Sequence, residues 1–169
     1  MEIINCTLTD VDFMLELYRK AAEYQKANGY NQWKEFDRDL IIREIHEKRQ
    51  WKIMVDGQIA CIFMVAYSDP ILWGARDNAY SIYLHRITTN QLFKGRNMMQ
   101  AIINWSKEHC KETGRNYIRM DTWADNKNLT DYYTKCGFTV LDYVKLDKDT
   151  KGLPMHYSTL SLVLFELVA

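Results

Sequence analysis

Leu84-His85-Arg86-Ile87-Thr88-Thr89-Asn90-Gln91-Leu92-Phe93-Lys94-Gly95-Arg96-Asn97-Met98-Met99 joins two patterns of different period. Tyr80 to Thr88 reads as a strand of aromatic and β-branched residues. From Gly95 onward Met98, Ile102, Trp105 and His109, with Met99, Ile103 and Cys110 beside them, trace a wide helical stripe that stops at Gly114. Tyr117 to Trp123 is the next strand. Strand, helix and strand in this order form a parallel crossover, which sets a helix N-terminus at a strand end, where open α/β sheets bind phosphates. A ligand is therefore expected at Gly95.

Upstream, residues 2–7 alternate as an opening strand, and Thr9 with Asp12 reads as a capping pair. Val11, Met14, Leu15, Tyr18 and Ala22 then share a helical face that ends at Asn28-Gly29. Asp37 or Asp39 caps a shorter helix in which Leu40, Ile41 and Ile45 share a face. Trp51, Ile53 and Val55 alternate, Asp56-Gly57 is a hairpin signal, and Ile59 to Tyr67 continues as a strand apolar on both faces. Ser68 to Asn78 is a loop whose Asp69-Pro70 and Gly74 end strands. Downstream come a helix from Asn126 to Cys136 closed by Gly137, a strand from Phe138 to Val144, and a last strand marked by Leu160, Leu162 and Leu164. The expected architecture is α/β, a central mixed sheet of about seven strands flanked by about four helices, with residues 1–169 as a single domain.

Composition narrows the function classes. A chain of 169 residues with 47% hydrophobic and 26% charged side chains can bury a full core, which sets aside disordered and low-complexity classes. The 22 basic and 22 acidic residues cancel, so no strong field attracts nucleic acid. Ile59 to Tyr67, the longest apolar run, is far below the roughly 20 residues that cross a bilayer, and Glu2 spoils a signal-peptide layout. A cytoplasmic protein without membrane contact is expected. Cys6, Cys61, Cys110 and Cys136 lie too far apart for a zinc or redox pair, so no metal is expected.

The crossover segment resembles the acyl-CoA binding segment of the GNAT superfamily of N-acetyltransferases. A second stretch resembles the same family's helix ending in tyrosine, three residues, glycine and phenylalanine: Asn126-Lys127-Asn128-Leu129-Thr130-Asp131-Tyr132-Tyr133-Thr134-Lys135-Cys136-Gly137-Phe138. The resemblance implies acetyl-CoA as acyl donor. Its pyrophosphate would lie on Lys94, Gly95, Arg96, Asn97, Met98 and Met99, where unsatisfied N–H groups and the helix dipole favour negative charge. The family pattern has Gln or Arg at Lys94, Gly at Asn97, and Gly or Ala at Met99; only the lysine is conservative. Ile87, Thr88 and Thr89 would hold the pantetheine arm along a free strand edge, with Asn126 bonding its amide or the loop.

By the same resemblance Tyr133 is the acid that protonates the leaving thiolate, with Tyr132 the alternative register. Some family members that acetylate aryl-alkylamines carry a histidine at the position of His85, and imidazole titrates where an amine's proton must be taken. Read from its strand alone, His85 is as readily a histidine satisfied among tyrosines. Alternation puts Tyr83, His85 and Ile87 on one face and Arg86 on the other as an ion pair or anchor. His46, His109 and His156 have no partners at useful spacing. Tyr30, Trp33, Trp73 and Tyr83 are the expected acceptor-side residues, since aromatic walls suit an amine with an apolar body, although they serve equally as plugs over the sheet end. The implied partner is a small-molecule or peptide amine, and exposed Val and Leu on the last strand leave a homodimer open. The altered Asn97 and Met99 keep a second reading alive, a non-catalytic acyl-CoA-sensing or partner-binding domain with a degenerate pyrophosphate loop.

Overall fold

The computed structural model describes residues 1–146, 151–152 and 161–169. Seven strands run β1 (Glu2–Asn5), β2 (Gln50–Val55), β3 (Gln58–Ala66), β4 (Ser81–Thr89), β5 (Tyr117–Trp123), β6 (Thr139–Lys145) and β7 (Ser161–Val168). Their order in the sheet is β1-β2-β3-β4-β5-β7-β6, and all neighbours are antiparallel except β4 and β5. Helices α1 (Val11–Ala27), α2 (Arg38–His46), α3 (Pro70–Trp73), α4 (Met98–Thr113) and α5 (Lys127–Lys135) complete the α/β architecture. The crossover expected through the second of the long helices is present: β4 leads through α4 to the parallel strand β5. Gly114, at φ +67, caps α4 in the left-handed conformation that glycine tolerates without strain.

Two apolar layers sandwich the sheet. Met14, Tyr18 and Ile41 of α1 and α2 pack on Ile62, while Ile102 and Ile103 of α4 pack on Phe63, Leu84 and Phe165. Burying such side chains is worth roughly 1.5–3 kcal/mol each. Neighbouring residues of β3 thus serve opposite layers, which is why that segment reads as apolar on both faces.

Three expectations are corrected. The cap before α1 is Thr7 with Asp10, not Thr9 with Asp12: the Thr7 amide and hydroxyl donate to Asp10 at 2.7 and 2.9 Å, and Lys52 Nζ reaches the same carboxylate at 2.7 Å. Asp69-Pro70 does not merely end a strand; it starts α3, with the Asp69 side chain accepting from Leu72 N and proline at the first helical position, where its missing N–H costs nothing. The last strand is no dimer edge. β7 lies between β5 and β6 with its backbone paired on both sides, and Leu162, Val163, Leu164 and Phe165 are fully buried. Leu160 and His156 lie outside the described residues.

Candidate functional site

The parallel pairing of β4 with β5 runs from Ser81↔Tyr117 only to Leu84↔Met120. Beyond it β4 continues to Thr89 against β3 alone, so the two strands part and leave one edge of β4 without a neighbouring strand among the described residues. The point of parting is built by a bulge. Met64 pairs with His85 and Ile62 with Thr88, so β4 has one more residue than β3 across this interval, and Arg86 takes φ +52. A non-glycine residue there costs on the order of 1–3 kcal/mol and needs support. Arg86 Nη2 donates to Glu44 of α2 at 2.6 Å, both side chains buried, and the guanidinium lies over the rings of Tyr18 and Phe36. Thr88 Oγ1 donates to the Arg86 carbonyl at 3.0 Å.

The bulge changes which side chains share a face. His85 and Arg86 both turn toward the α1–α2–α3 side, and Ile87 packs with the α4 layer. The expected grouping of Tyr83, His85 and Ile87 is therefore corrected, because strict alternation fails at an inserted residue. Arg86 is the buried ion pair expected of it.

A cavity of about 420 Å³ opens at the parting. β4 lines it from Leu84 to Thr89, β5 from Met120 to Trp123, and α5 closes it with Asn126, Leu129 and Tyr133. Tyr24 and Gln25 of α1 with Tyr30, Asn31 and Trp33 form the opposite wall, and Gln91 and Lys94 stand at the rim. The α1–α2 segment is latched to the segment before α5: Asn31 N and Nδ2 donate to Asp125 at 3.1 and 2.6 Å. Tyr30 and Trp33 thus reach the cavity as expected for acceptor-side residues, but Trp73 and Tyr83 do not. Both are buried, ring to ring at 5.4 Å, against the Arg119 guanidinium, which donates to Tyr83 OH at 3.2 Å and pairs with Glu166. Trp73 sits in α3 and not in an open loop, and so fills the core.

Lys94, Gly95, Arg96 and Asn97 are exposed ahead of α4, whose first amides have no preceding helical carbonyl. A Cβ placed on Gly95, at φ +83, meets nothing within 4 Å, so the backbone there is open to close approach. Asn97 takes φ +54 and ψ +40, the left-handed conformation that asparagine tolerates best after glycine. Met98 and Met99 are buried in the α4 layer, leaving only backbone for a ligand at the helix start. A pyrophosphate therefore fits this turn with Asn97 in glycine's place. Asn126 caps α5 by accepting from Leu129 N at 3.0 Å, which occupies its carbonyl oxygen but not its amide.

Tyr133 is buried against Phe165 and Phe138, and burial pushes its phenol well above the usual range, so it holds its proton. Tyr132 is exposed and off the cavity wall. His85 is enclosed: Nε2 stands 3.4 Å from Asp69 Oδ2 and Nδ1 stands 3.5 Å from Asp121 Oδ1. Burial, and then the charges of Arg86 and Arg49, push the imidazole down to about 3, so it is neutral through the physiological range. Burial pushes Asp69 up to about 6. Neither aspartate is among the site residues expected from the sequence, where Asp69 reads only as part of a strand end. The Asp69-Pro70 start of a helix and the step of one residue past the Leu84↔Met120 pair, which sets Asp121 beside His85, are the signals that locate them. His109 bonds Tyr67 OH at 2.8 Å on the far face, away from the cavity.

The acetyltransferase (GNAT) family model matches residues 14–138. The uncharacterized N-acetyltransferase YesJ of Bacillus subtilis is 26% identical over 137 residues, 76% of each chain. A GNAT acetyltransferase of Streptococcus agalactiae superposes with a TM-score of 0.78 at 20% identity, covering 99% of this chain and 95% of its own. An acetyltransferase of Salmonella typhimurium solved with its cofactor acetyl-CoA gives a TM-score of 0.69 at 12% identity, covering 99% of this chain and 93% of its own. No helix among the described residues is long and apolar enough to cross a membrane.

Proposed function

The chain belongs to the acetyltransferase (GNAT) family, and from that premise we propose that it moves an acetyl group from acetyl-CoA to the amine of a small molecule or peptide, in the cytoplasm. The observation that carries this reading is the parting of β4 from β5 beside the start of α4. The free edge of Ile87, Thr88 and Thr89 holds the extended arm of the donor, and the turn from Lys94 to Met99 takes its pyrophosphate on backbone amides and two cations. Asn126 bonds the arm from the α5 side. Bound acetyl-CoA supplies an activated acetyl thioester.

The chain's own groups do the rest. The acceptor enters between Tyr30, Trp33 and Trp123, where aromatic faces receive an apolar body or a cation. His85, on the cavity wall between Asp69 and Asp121, takes the proton that an ammonium must lose before it attacks. Tyr133 keeps a phenolic proton for the departing sulfur. The four free cysteines suit a reducing compartment.

The test is the melting temperature with and without acetyl-CoA, with dephospho-coenzyme A as the control for the 3′-phosphate. Ligand at about 100 times its Kd adds roughly 2.7 kcal/mol, and at ~2–4 °C per kcal/mol the shift is several degrees. A clear shift followed by thiol release in the presence of amines supports transfer. No shift at millimolar ligand overturns the donor assignment, and a shift without thiol release for any amine supports a sensing domain in its place.

A further inference from the structure

Asp69 and Asp121 stand at opposite nitrogens of one imidazole. They come from the start of α3 and from β5, and they meet His85 at the first position where β4 and β5 no longer pair. One ligand atom from each of the three groups lies within 4.8 Å of the others, a spacing that a cation could also use, but the shortest contacts fall at different ring nitrogens, which is the arrangement of a proton path. The two sides are unequal. Asp121 and His85 line the cavity, and Asp69 does not. Asp69 Oδ1 is engaged by Leu72 N, while Asp69 Oδ2 is buried, makes no hydrogen bond among the described residues, and stands 3.4 Å from His85 Nε2. Separations of 3.4 and 3.5 Å are longer than formed hydrogen bonds, as is common before substrate tightens a site.

We infer that Asp69 is a positioning residue that fixes His85 in one tautomer, proton on Nε2 and lone pair on Nδ1, and that Asp121 docks the acceptor's ammonium beside that lone pair. This rests on the acyl-transfer reading of the same cavity. In the step, one N–H bond of the ammonium breaks, an Nδ1–H bond forms, and the positive charge passes from the acceptor to the ring. The neutral amine is left with its electron pair for attack. The imidazolium so formed lies between the carboxyl groups of Asp69 and Asp121, 3.4 and 3.5 Å away. Asp77, hydrogen-bonded to the Asp69 amide at 3.0 Å, adds negative charge behind Asp69. The acceptor class that follows is an amine protonated at neutral pH, since a buried carboxylate beside the base rewards a cation and penalises a second anion. A carboxylate that orients a histidine loses most of its effect when it becomes an amide, because the amide offers a donor and reverses the tautomer.

The experiment reads the tautomer directly. The protein is labelled with ¹⁵N-histidine, His85 is assigned by its loss in His85→Ala, and the ring nitrogens are compared in wild type and Asp69→Asn at pH 7.5. Asp69→Asn keeps an oxygen to cap Leu72, so α3 retains its start. The expected result is protonated Nε2 and bare Nδ1 in wild type, with the proton moved to Nδ1 in Asp69→Asn. A wild-type proton on Nδ1, or the same tautomer in both proteins, overturns the inference. The acetyl-CoA melting shift is measured on both proteins alongside. A wild type that shows the expected tautomer but no shift refutes the donor assignment while leaving the positioning of His85 standing.

Discussion

Arg86 of β4 and Glu44 of α2 form an ion pair of 2.6 Å with side chains only 3% and 4% exposed, and this contact clamps the left-handed residue at which β4 leaves β5. Removing one charge strands the other in the interior. Glu44→Gln is expected to destabilise by about 3–5 kcal/mol and to lower the melting temperature by roughly 6 to 20 °C. Denaturant unfolding checks this, and an unchanged midpoint would show that the bulge stands without its clamp.

Asn97 gives a test of the pyrophosphate turn. Its φ of +54 suits glycine, so Asn97→Gly is expected to hold or raise both stability and acetyl-CoA affinity, whereas Asn97→Val is expected to cost about 1–2 kcal/mol and to weaken binding. Calorimetric titration of acetyl-CoA into both variants decides it. Tighter binding by Asn97→Val would move the pyrophosphate elsewhere.

For Tyr133 the expected signature is a loss in kcat of on the order of 10²-fold in Tyr133→Phe, with the KM for acetyl-CoA nearly unchanged. Tyr132→Phe, altered on an exposed ring, is expected to match wild type. Thiol release with an accepted amine measures both, and equal rates for the two variants would remove the acid role.

The buried pair at the base of the site has opposite effects on stability as pH changes. Asp69, raised to about 6 from 3.8, binds more protons folded than unfolded between pH 4 and 6, so its contribution falls as pH rises through that window. His85, lowered to about 3 from 6.5, contributes stability that is present above pH 6.5 and is lost as pH falls toward 3. The two slopes oppose each other between pH 4 and 6. Asp69→Asn is therefore expected to gain on wild type as pH rises from 4 to 6 and then to level off, with a slope of at most about 1.4 kcal/mol per pH unit. Urea unfolding of both proteins across pH 4–8 checks the sign, and a variant that loses ground over that range would contradict it.

The parts of this molecule that repeat were legible in the sequence, and the parts that break a repeat were not. The stripe from Met98 to Cys110 located α4, and the crossover to Tyr117–Trp123 followed from chain order. Arg86 was misplaced in its setting because a bulge adds one residue without changing composition, so the faces after it invert. Trp73 reads as an acceptor-side residue because an aromatic in a loop reads as surface, and the short helix that turns it inward carries too few residues for a period; Tyr83 reads so because it alternates with His85 on one strand, which does not reveal that Trp73 and Arg119 cover it. Tyr30, Trp33, His85 and Tyr133 do line one cavity, but of the two aspartates that enclose His85 only Asp69 carries a local signal, the Asp-Pro start of α3, while Asp121 is placed by the pairing of strands far apart in the chain. The interior place of the last strand does have a signal: four successive apolar residues, Leu162 to Phe165, suit a strand covered on both sides.

That interior strand bears on how the protein is made. Among the described residues β5 and β6 are joined only through β7, and β7 follows both of them in the chain. Until residues 161–168 emerge, the nascent chain holds β5 with one flank bare and β6 without a strand partner among the described residues, both open to intermolecular pairing. Vectorial synthesis can therefore close the half of the sheet from β1 to β5 early, while the half that carries α5 and Tyr133 waits for the final segment to slot between strands already formed. A chain that lacked residues 161–168 would have a gap in the middle of the sheet, and a chaperone that shields β5 and β6 would act in the interval before that gap is filled.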